Sequence, residues 1–278
     1  MRGGAAPLRA LPVDFDAAVV RGIDDRLAGC EAEHGVRILL AVESGSRAWG
    51  FPSPDSDYDC RFLYVRPLAD YVTPWPRRDV IETPLDAIYD VNGWHLIKAL
   101  KLMFNGNAVV AEWLTSPVVY RGDADFRERL LVLARRIGRR DVAMHHYLQL
   151  GERQFDRFFA DGHGPLKRLF YAVRPAMALR WLRLRPDGSV PPMHLPTLVA
   201  EAAPDAAVAE EIARLTAVKA ATGELGEGPL PPVLADFLRA EFAAARAAVP
   251  RKPKADPALA REAEALLFET ARGSEPIG

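Results

Sequence analysis

One stretch, ESGSRAWGFPSPDSDYDCRFLYV at residues 43–65, constrains this chain more than any other. The apolar run before it, VRILLAV at 36–42, predicts a short buried strand. That run leads into Gly45-Ser46, then a loop with two prolines, then three aspartates within five residues, Asp55, Asp57 and Asp59. A second strand is expected over 57–65. Glycine lets another group approach the main chain closely. A short helix capped by Ser44 would aim free N–H groups at an anion. Alternate residues of a strand share a face, so Asp57 and Asp59 point the same way. Carboxylates that close repel one another. Either they are solvated turn residues or a cation sits among them. Hard divalent cations take such oxygen ligands, and Mg²⁺ is held by one or two carboxylates plus substrate phosphates. Asp55, between Pro54 and Ser56, suits a turn.

The rest of the chain divides in two. Residues 14–34 carry helical spacing, with Gly35 as a stop. Residues 79–92 predict two short strands around Thr83-Pro84. Helices follow over GWHLIKALKLMFNGN and AVVAEWLTS, then over 123–138, 141–160, 165–185, 205–221, 231–248 and 257–272. Pro175 is expected to break or kink the 165–185 helix. PPMHLP and EGPLPP read as turns, and the tail ARGSEPIG as frayed. The fold class is therefore α+β: a small mixed-sheet core over 1–120, followed by an all-helical half over 121–278.

A net charge of −1 gives no global field toward nucleic acid or anionic membrane, so any such site is local. The two cysteines, Cys30 and Cys60, form no C-x-x-C pair, which argues against zinc and redox motifs. Cys60 reads as a buried thiol. No run approaches the ~18 apolar residues of a membrane span, and the first residues lack the apolar core of a signal peptide. A cytoplasmic protein without a membrane partner is expected.

Two basic groups bear on the acidic motif. Lys98 and Lys101 lie on the helix after Asp90. Between Leu166 and Arg185 stand Lys167, Arg168, Arg174, Arg180, Arg183 and Arg185, with no acidic residue among them. Such a block can grip phosphates, although Arg183 and Arg185 suit a solvated helix face. Arg61 shares the face of Asp57 and Asp59 and is either their salt-bridge partner or a phosphate ligand. Trp49 reads as a packing residue. His145 and His146 lack an i, i+4 partner and read as helix surface.

The order strand, Gly-Ser, about ten residues, Asp-x-Asp, strand resembles the DNA polymerase β-like nucleotidyltransferase superfamily. The longer run GSRAWGFPSPDSDYDCRFLY resembles its RlaP or YcgL-like branch more narrowly. So do YDVNGWHLIKALKLMFNGNAVVAEWLTSPVVY and LKRLFYAVRPAMALRWLRL, and the resemblance covers about 36–200. It implies that 1–120 is a nucleotidyltransferase core and that the helical half closes over a nucleotide. Gly45, Ser46 and Arg47 would bind a nucleoside triphosphate, joined by Lys98, Lys167, Arg168 and Arg174. Asp57 and Asp59 would hold Mg²⁺ or Mn²⁺ and act in catalysis. Asp90 is the expected third carboxylate, with Asp86 as the other candidate, and His95 takes no role. The implied reaction moves a nucleoside monophosphate to a hydroxyl, with RNA as the leading acceptor. A protein or small-molecule acceptor is the alternative enzyme reading. A nucleotide-binding regulator without turnover is the alternative outside enzymes.

Overall fold

The computed structural model describes residues 7–222, 225–248 and 256–273. Its sheet grows outward from the strand pair that the acidic motif implies. The strands are β1 (Pro7–Ala10), β2 (Arg37–Glu43), β3 (Tyr58–Val65), β4 (Val80–Glu82), β5 (Tyr89–His95) and β6 (Val119–Asp123). They lie in the order β1-β6-β2-β3-β5-β4. β3 and β5 are parallel, and the other neighbours are antiparallel. β4 and β5 are the two strands expected around Thr83-Pro84, and they pair antiparallel. β1 and β6 have no counterpart among the strands expected from sequence.

The helices in chain order are α1 (Ala17–His34), α2 (Ser46–Trp49), α3 (Leu96–Phe104), α4 (Val109–Leu114) and α5 (Ala124–Ile137). Then come α6 (Arg140–Phe159), α7 (Leu166–Leu184), α8 (Leu195–Ala202), α9 (Ala206–Thr222), α10 (Pro232–Ala248) and α11 (Pro257–Arg272). A two-stranded ribbon pairs β7 (His163–Pro165) with β8 (Glu227–Pro229). The α+β class is therefore as expected. Two corrections concern PPMHLP and EGPLPP. The first runs into α8 and the second contributes β8, where only turns were expected. Of the tail expected to fray, residues 274–278 lie outside the described residues.

Alternation along β3 sorts its side chains between two layers. Tyr58, Cys60, Phe62 and Tyr64 turn to one face, where Ile23, Leu27 and Cys30 of α1 cover them. Asp16 caps the start of α1, accepting from the Ala18 N–H at 2.7 Å, and Gly35 ends it in the left-handed conformation. On the other face, Leu63 and Val65 join Leu40 and Val42 of β2 under α3, α4, α5 and α11. Trp94 of β5 meets Trp113 of α4 there, with ring centroids 4.4 Å apart. The same face carries Asp59 and Arg61 nearer the start of the strand, where it is only partly covered.

A third core fills the helical half, with α7 at its centre and Phe51 inserted from the loop after α2. Phe51 stacks on Phe170 at 4.7 Å. α7 runs unbroken through Pro175, contrary to the expected break. Pro175 is buried, and α6 crosses it at Gly151. A Cβ on Gly151 would lie 2.7 Å from Phe242 and 3.3 Å from Pro175. Packing on this side holds the helical path despite the missing N–H bond.

Candidate active site

Register brings the acidic residues together. In the parallel pair β3–β5, Asp59 lies opposite Asp90, so carboxylates far apart in sequence share one face. Asp57 stands just before β3. Arg61 reaches back across the pair. Its Nη2 donates to Asp59 Oδ1 at 3.1 Å and to Asp90 Oδ2 at 2.6 Å, while Nη1 donates to the Asp90 carbonyl at 2.7 Å. The Asn92 amide also donates to Asp90. Burial pushes the Asp59 carboxyl up to about 6; the negative charge of Asp57 adds to the rise and Arg61 opposes it. Arg61, Asp59 and Asp90 each keep about a fifth of their side chain open to solvent.

The donor set is all oxygen, which suits a hard divalent cation. A cation already fits between Asp59 and Asp90, since the Arg61 guanidinium bridges them. Among the described residues, no three Asp, Glu, His or Cys side chains are gathered closely enough to enclose a metal ion.

Beside the carboxylates lies the Gly-Ser turn. A Cβ on Gly45 would fall 1.8 Å from Asp59 Oδ2 and 2.8 Å from its Cβ, so a side chain there would displace the Asp59 carboxylate from this position. The turn corrects two expectations. Gly45, not Ser44, precedes the helix, which starts at Ser46. The Gly45 N–H points inward, donating to Glu43 Oε1 at 3.2 Å. The N–H groups of Ser46 and Arg47, first in the helix, have no carbonyl behind them within α2. Ser46 Oγ donates to Ser56 Oγ at 3.0 Å. Arg47 holds the carbonyls of Ser56 and Asp57 and stacks on Tyr58, 3.9 Å from the ring centroid. It fixes the backbone that carries Asp57.

Glu43 is the site residue absent from the sequence-based expectations. It is fully buried at the end of β2. Its Oε1 accepts from both Gly45 N–H and Asp59 N–H, the latter at 3.0 Å, and its Oε2 accepts from the Tyr120 hydroxyl. Burial pushes its carboxyl up to about 7. One side chain thus ties the Gly-Ser turn to the aspartate strand. The legible signal is a glutamate closing an otherwise apolar run directly before Gly-Ser.

The helical half borders the site through α7 and α9. Tyr171 is near enough to Asp59 and Asp57 that, after burial, their charges raise its phenol further. Arg168 lies 5.5 Å from the Tyr171 ring. Lys219 of α9, 7 % exposed, donates to the Phe51 carbonyl at 2.6 Å. Burial lowers its pKa, and Asp55, Lys167 and Asp57 act on it electrostatically. Tyr171 and Lys219 carry no local sequence signal, because only tertiary packing brings them here.

Three expected residues are placed elsewhere. Arg174 is 4 % exposed and forms a two-pronged pair with Glu112, at 2.8 and 3.3 Å. Its guanidinium covers Trp49 at 4.5 Å and is committed to that pair. Lys98 pairs with Asp79 at 3.6 Å, beyond the far end of β5. Asp90 and His95 stand five strand steps apart, about 16 Å, so Lys98 and Asp90 sit at opposite ends. Asp86 is exposed in the turn before β5 and pairs with Arg26 at 2.8 Å. The distal arginines of the 166–185 block are also paired, Arg180 and Arg183 with Glu241 and Arg185 with Glu201. Lys167 and Arg168 stand in the first turn of α7, and the charge of Arg168 acts on Tyr171.

An antiparallel strand pair joined through the Gly-Ser turn thus carries Asp59, and the parallel neighbour carries Asp90 opposite it. The chain belongs to the RlaP family, described as the RNA repair pathway DNA polymerase beta family, whose model matches residues 19–269. That match is wider than the 36–200 resemblance read from the sequence. A Bacillus subtilis (strain 168) protein, "Uncharacterized protein YcgL", is 38 % identical over 179 residues, 64 % of this chain and 68 % of its own length. No solved structure matches the chain. Membership of this family points to nucleotidyltransferase activity. Among the described residues, no helix is long and apolar enough to cross a membrane.

Proposed function

We propose that the protein transfers a nucleoside monophosphate from a nucleoside triphosphate to a hydroxyl of RNA, with pyrophosphate leaving. The observation that carries this reading is the pairing of Asp59 with Asp90 across β3 and β5, with Asp57 two residues ahead of Asp59, beside the Gly45-Ser46 turn. Those three carboxylates would hold Mg²⁺ or Mn²⁺, which supplies charge stabilisation for the attacking and leaving oxygens. Ser46 offers its hydroxyl and, with Arg47, main-chain N–H groups to the triphosphate. Lys167 and Arg168 add positive charge from α7. Asp90, across from Asp59, positions the acceptor hydroxyl or takes its proton. Glu43 keeps the turn and β3 in fixed relation throughout.

RNA as acceptor draws support from the description of the family as part of an RNA repair pathway. Internal pairing of Arg174, Arg180, Arg183 and Arg185 favours the second reading, a protein or small-molecule acceptor. The test is incubation with each α-labelled triphosphate, Mg²⁺, total RNA and total protein. Label in RNA with pyrophosphate release is expected. Label in protein moves the conclusion to the second reading, and no pyrophosphate release with any triphosphate sinks both. If Lys167 and Arg168 hold RNA phosphates, replacing both with alanine lowers the slope of log K against log[salt] by about 1.4 on a single strand.

A further inference from the structure

We propose that Arg61 is the resident cation of the carboxylate centre, an internal competitor that a divalent ion must displace from Asp59 and Asp90. The inference rests on the metal-binding reading of Asp57, Asp59 and Asp90. Two carboxylates face each other here across β3 and β5, the charge of Asp57 acts on Asp59, and Arg61 is the cation bonded to both Asp59 and Asp90. Its Nη2 lies between the two carboxylates that would hold the ion, 3.1 Å from Asp59 Oδ1 and 2.6 Å from Asp90 Oδ2. The guanidinium spans the gap and satisfies the oxygens in place of a metal.

The fork is divided in a way that makes displacement feasible. Nη1 bonds to main-chain carbonyls, those of Asp90 at 2.7 Å and Cys60 at 3.2 Å, while only Nη2 engages the carboxylates. A swing about Nη1 releases both aspartates and leaves the arginine anchored on the strand. Nη2 then turns from the carboxylates toward the open side of the site, where the triphosphate binds. Displacement costs two charge-assisted hydrogen bonds, each stronger than a neutral one. Metal alone therefore binds weakly, and metal arriving with a triphosphate binds better, because the released guanidinium gains an anionic partner.

The experiment is titration of the full chain with Mn²⁺ in the absence of nucleotide, reading free Mn²⁺ by electron paramagnetic resonance and unfolding by thermal denaturation. In Arg61→Met, Mn²⁺ affinity rises at least tenfold over wild type. The metal-free variant melts lower, and Mn²⁺ raises its melting temperature by more than it raises that of wild type. Arg61→Lys, which keeps the charge but loses the fork, falls between the two and serves if the methionine variant does not fold. Adding Asp59→Asn to either background removes the binding. Equal or weaker Mn²⁺ affinity in folded Arg61→Met and Arg61→Lys overturns the competition while leaving the metal site standing. Absence of Mn²⁺ binding in wild type and variants alike overturns the metal reading, and the competition falls with it.

Discussion

Two arginine–carboxylate clusters, built from the same chemistry, end up with opposite characters. In the helical half, Arg174 meets Glu112 in a fork, and the Tyr147 hydroxyl donates to the same carboxylate at 2.9 Å. One positive charge faces one negative charge, and both are buried. At the sheet, Arg61 serves Asp59 and Asp90 with Asp57 beside them, and the cluster opens to solvent. A matched buried pair is mortar between α4 and α7. At the sheet the arginine is outnumbered and partly open, which is the basis for proposing that something else neutralises the remaining negative charge.

The comparison breaks most sharply on the aspartates. Asp57→Asn with Asp59→Asn is expected to lower metal-dependent pyrophosphate release by about 10⁴-fold or more, roughly 5.5 kcal/mol in the barrier. Urea unfolding of the metal-free protein should shift by no more than about 1 kcal/mol. A fall in stability with full activity would reverse the roles assigned to the two clusters. Arg174→Ala should do the opposite. Leaving Glu112 buried without its partner costs about 3–5 kcal/mol of stability. Combining Glu112→Gln with Arg174→Met removes both charges at once and recovers much of that loss, as urea midpoints would show.

A smaller effect separates the ends of β5 by pH. His95 is buried, its Nδ1 accepts from the Ile97 N–H at 3.1 Å, and its Nε2 meets the Tyr71 hydroxyl at 3.0 Å. Burial, with Arg66 adding, holds its pKa down at about 4 against 6.5. Between those values the unfolded chain binds the extra proton, so stability rises with pH across the window and falls as pH drops through it. The His95 contribution is on the order of 3 kcal/mol. His95→Gln should flatten the urea-midpoint profile between pH 4 and 6.5. The smallest effect is Lys98→Ala. Its partly exposed pair with Asp79 is worth less than about 1 kcal/mol, and triphosphate affinity by calorimetry should stay within about twofold of wild type.

What the sequence makes legible follows from which interactions are local. Gly45, Asp57 and Asp59 stand out because one loop and one strand bring them together. Asp90 is found because the strand carrying it is readable and the family pattern implies a third carboxylate. Lys98 misleads because its helix follows Asp90 directly in sequence, whereas the rest of β5 separates the two in space. Arg174 misleads because a row of arginines says nothing about which acids on other helices meet them. Its partner stands 62 positions away. Helix bounds from 123 onward are readable from spacing, except for α8, whose start at PPMHLP reads as a turn. β1 and β6, short and joined to the sheet only by tertiary pairing, are not.

The last described helix has a consequence for how the chain is made. α11 lays Ala263 and Leu266 into the core shared with α5 and the sheet. Glu262 and Glu269 pair with Arg136 and Arg129, and the Thr270 carbonyl accepts from Arg37 at 2.8 Å. A ribosome must therefore add roughly 120 residues after α5 before its cover exists, on the order of 6–24 s at ordinary elongation speed. Throughout that interval the part of the apolar core that α11 covers is exposed on the nascent chain. Translation that stops before residue 257 releases a polypeptide that already carries the aspartates and the Gly-Ser turn but also displays an uncovered hydrophobic face, a product fit for chaperones and proteases.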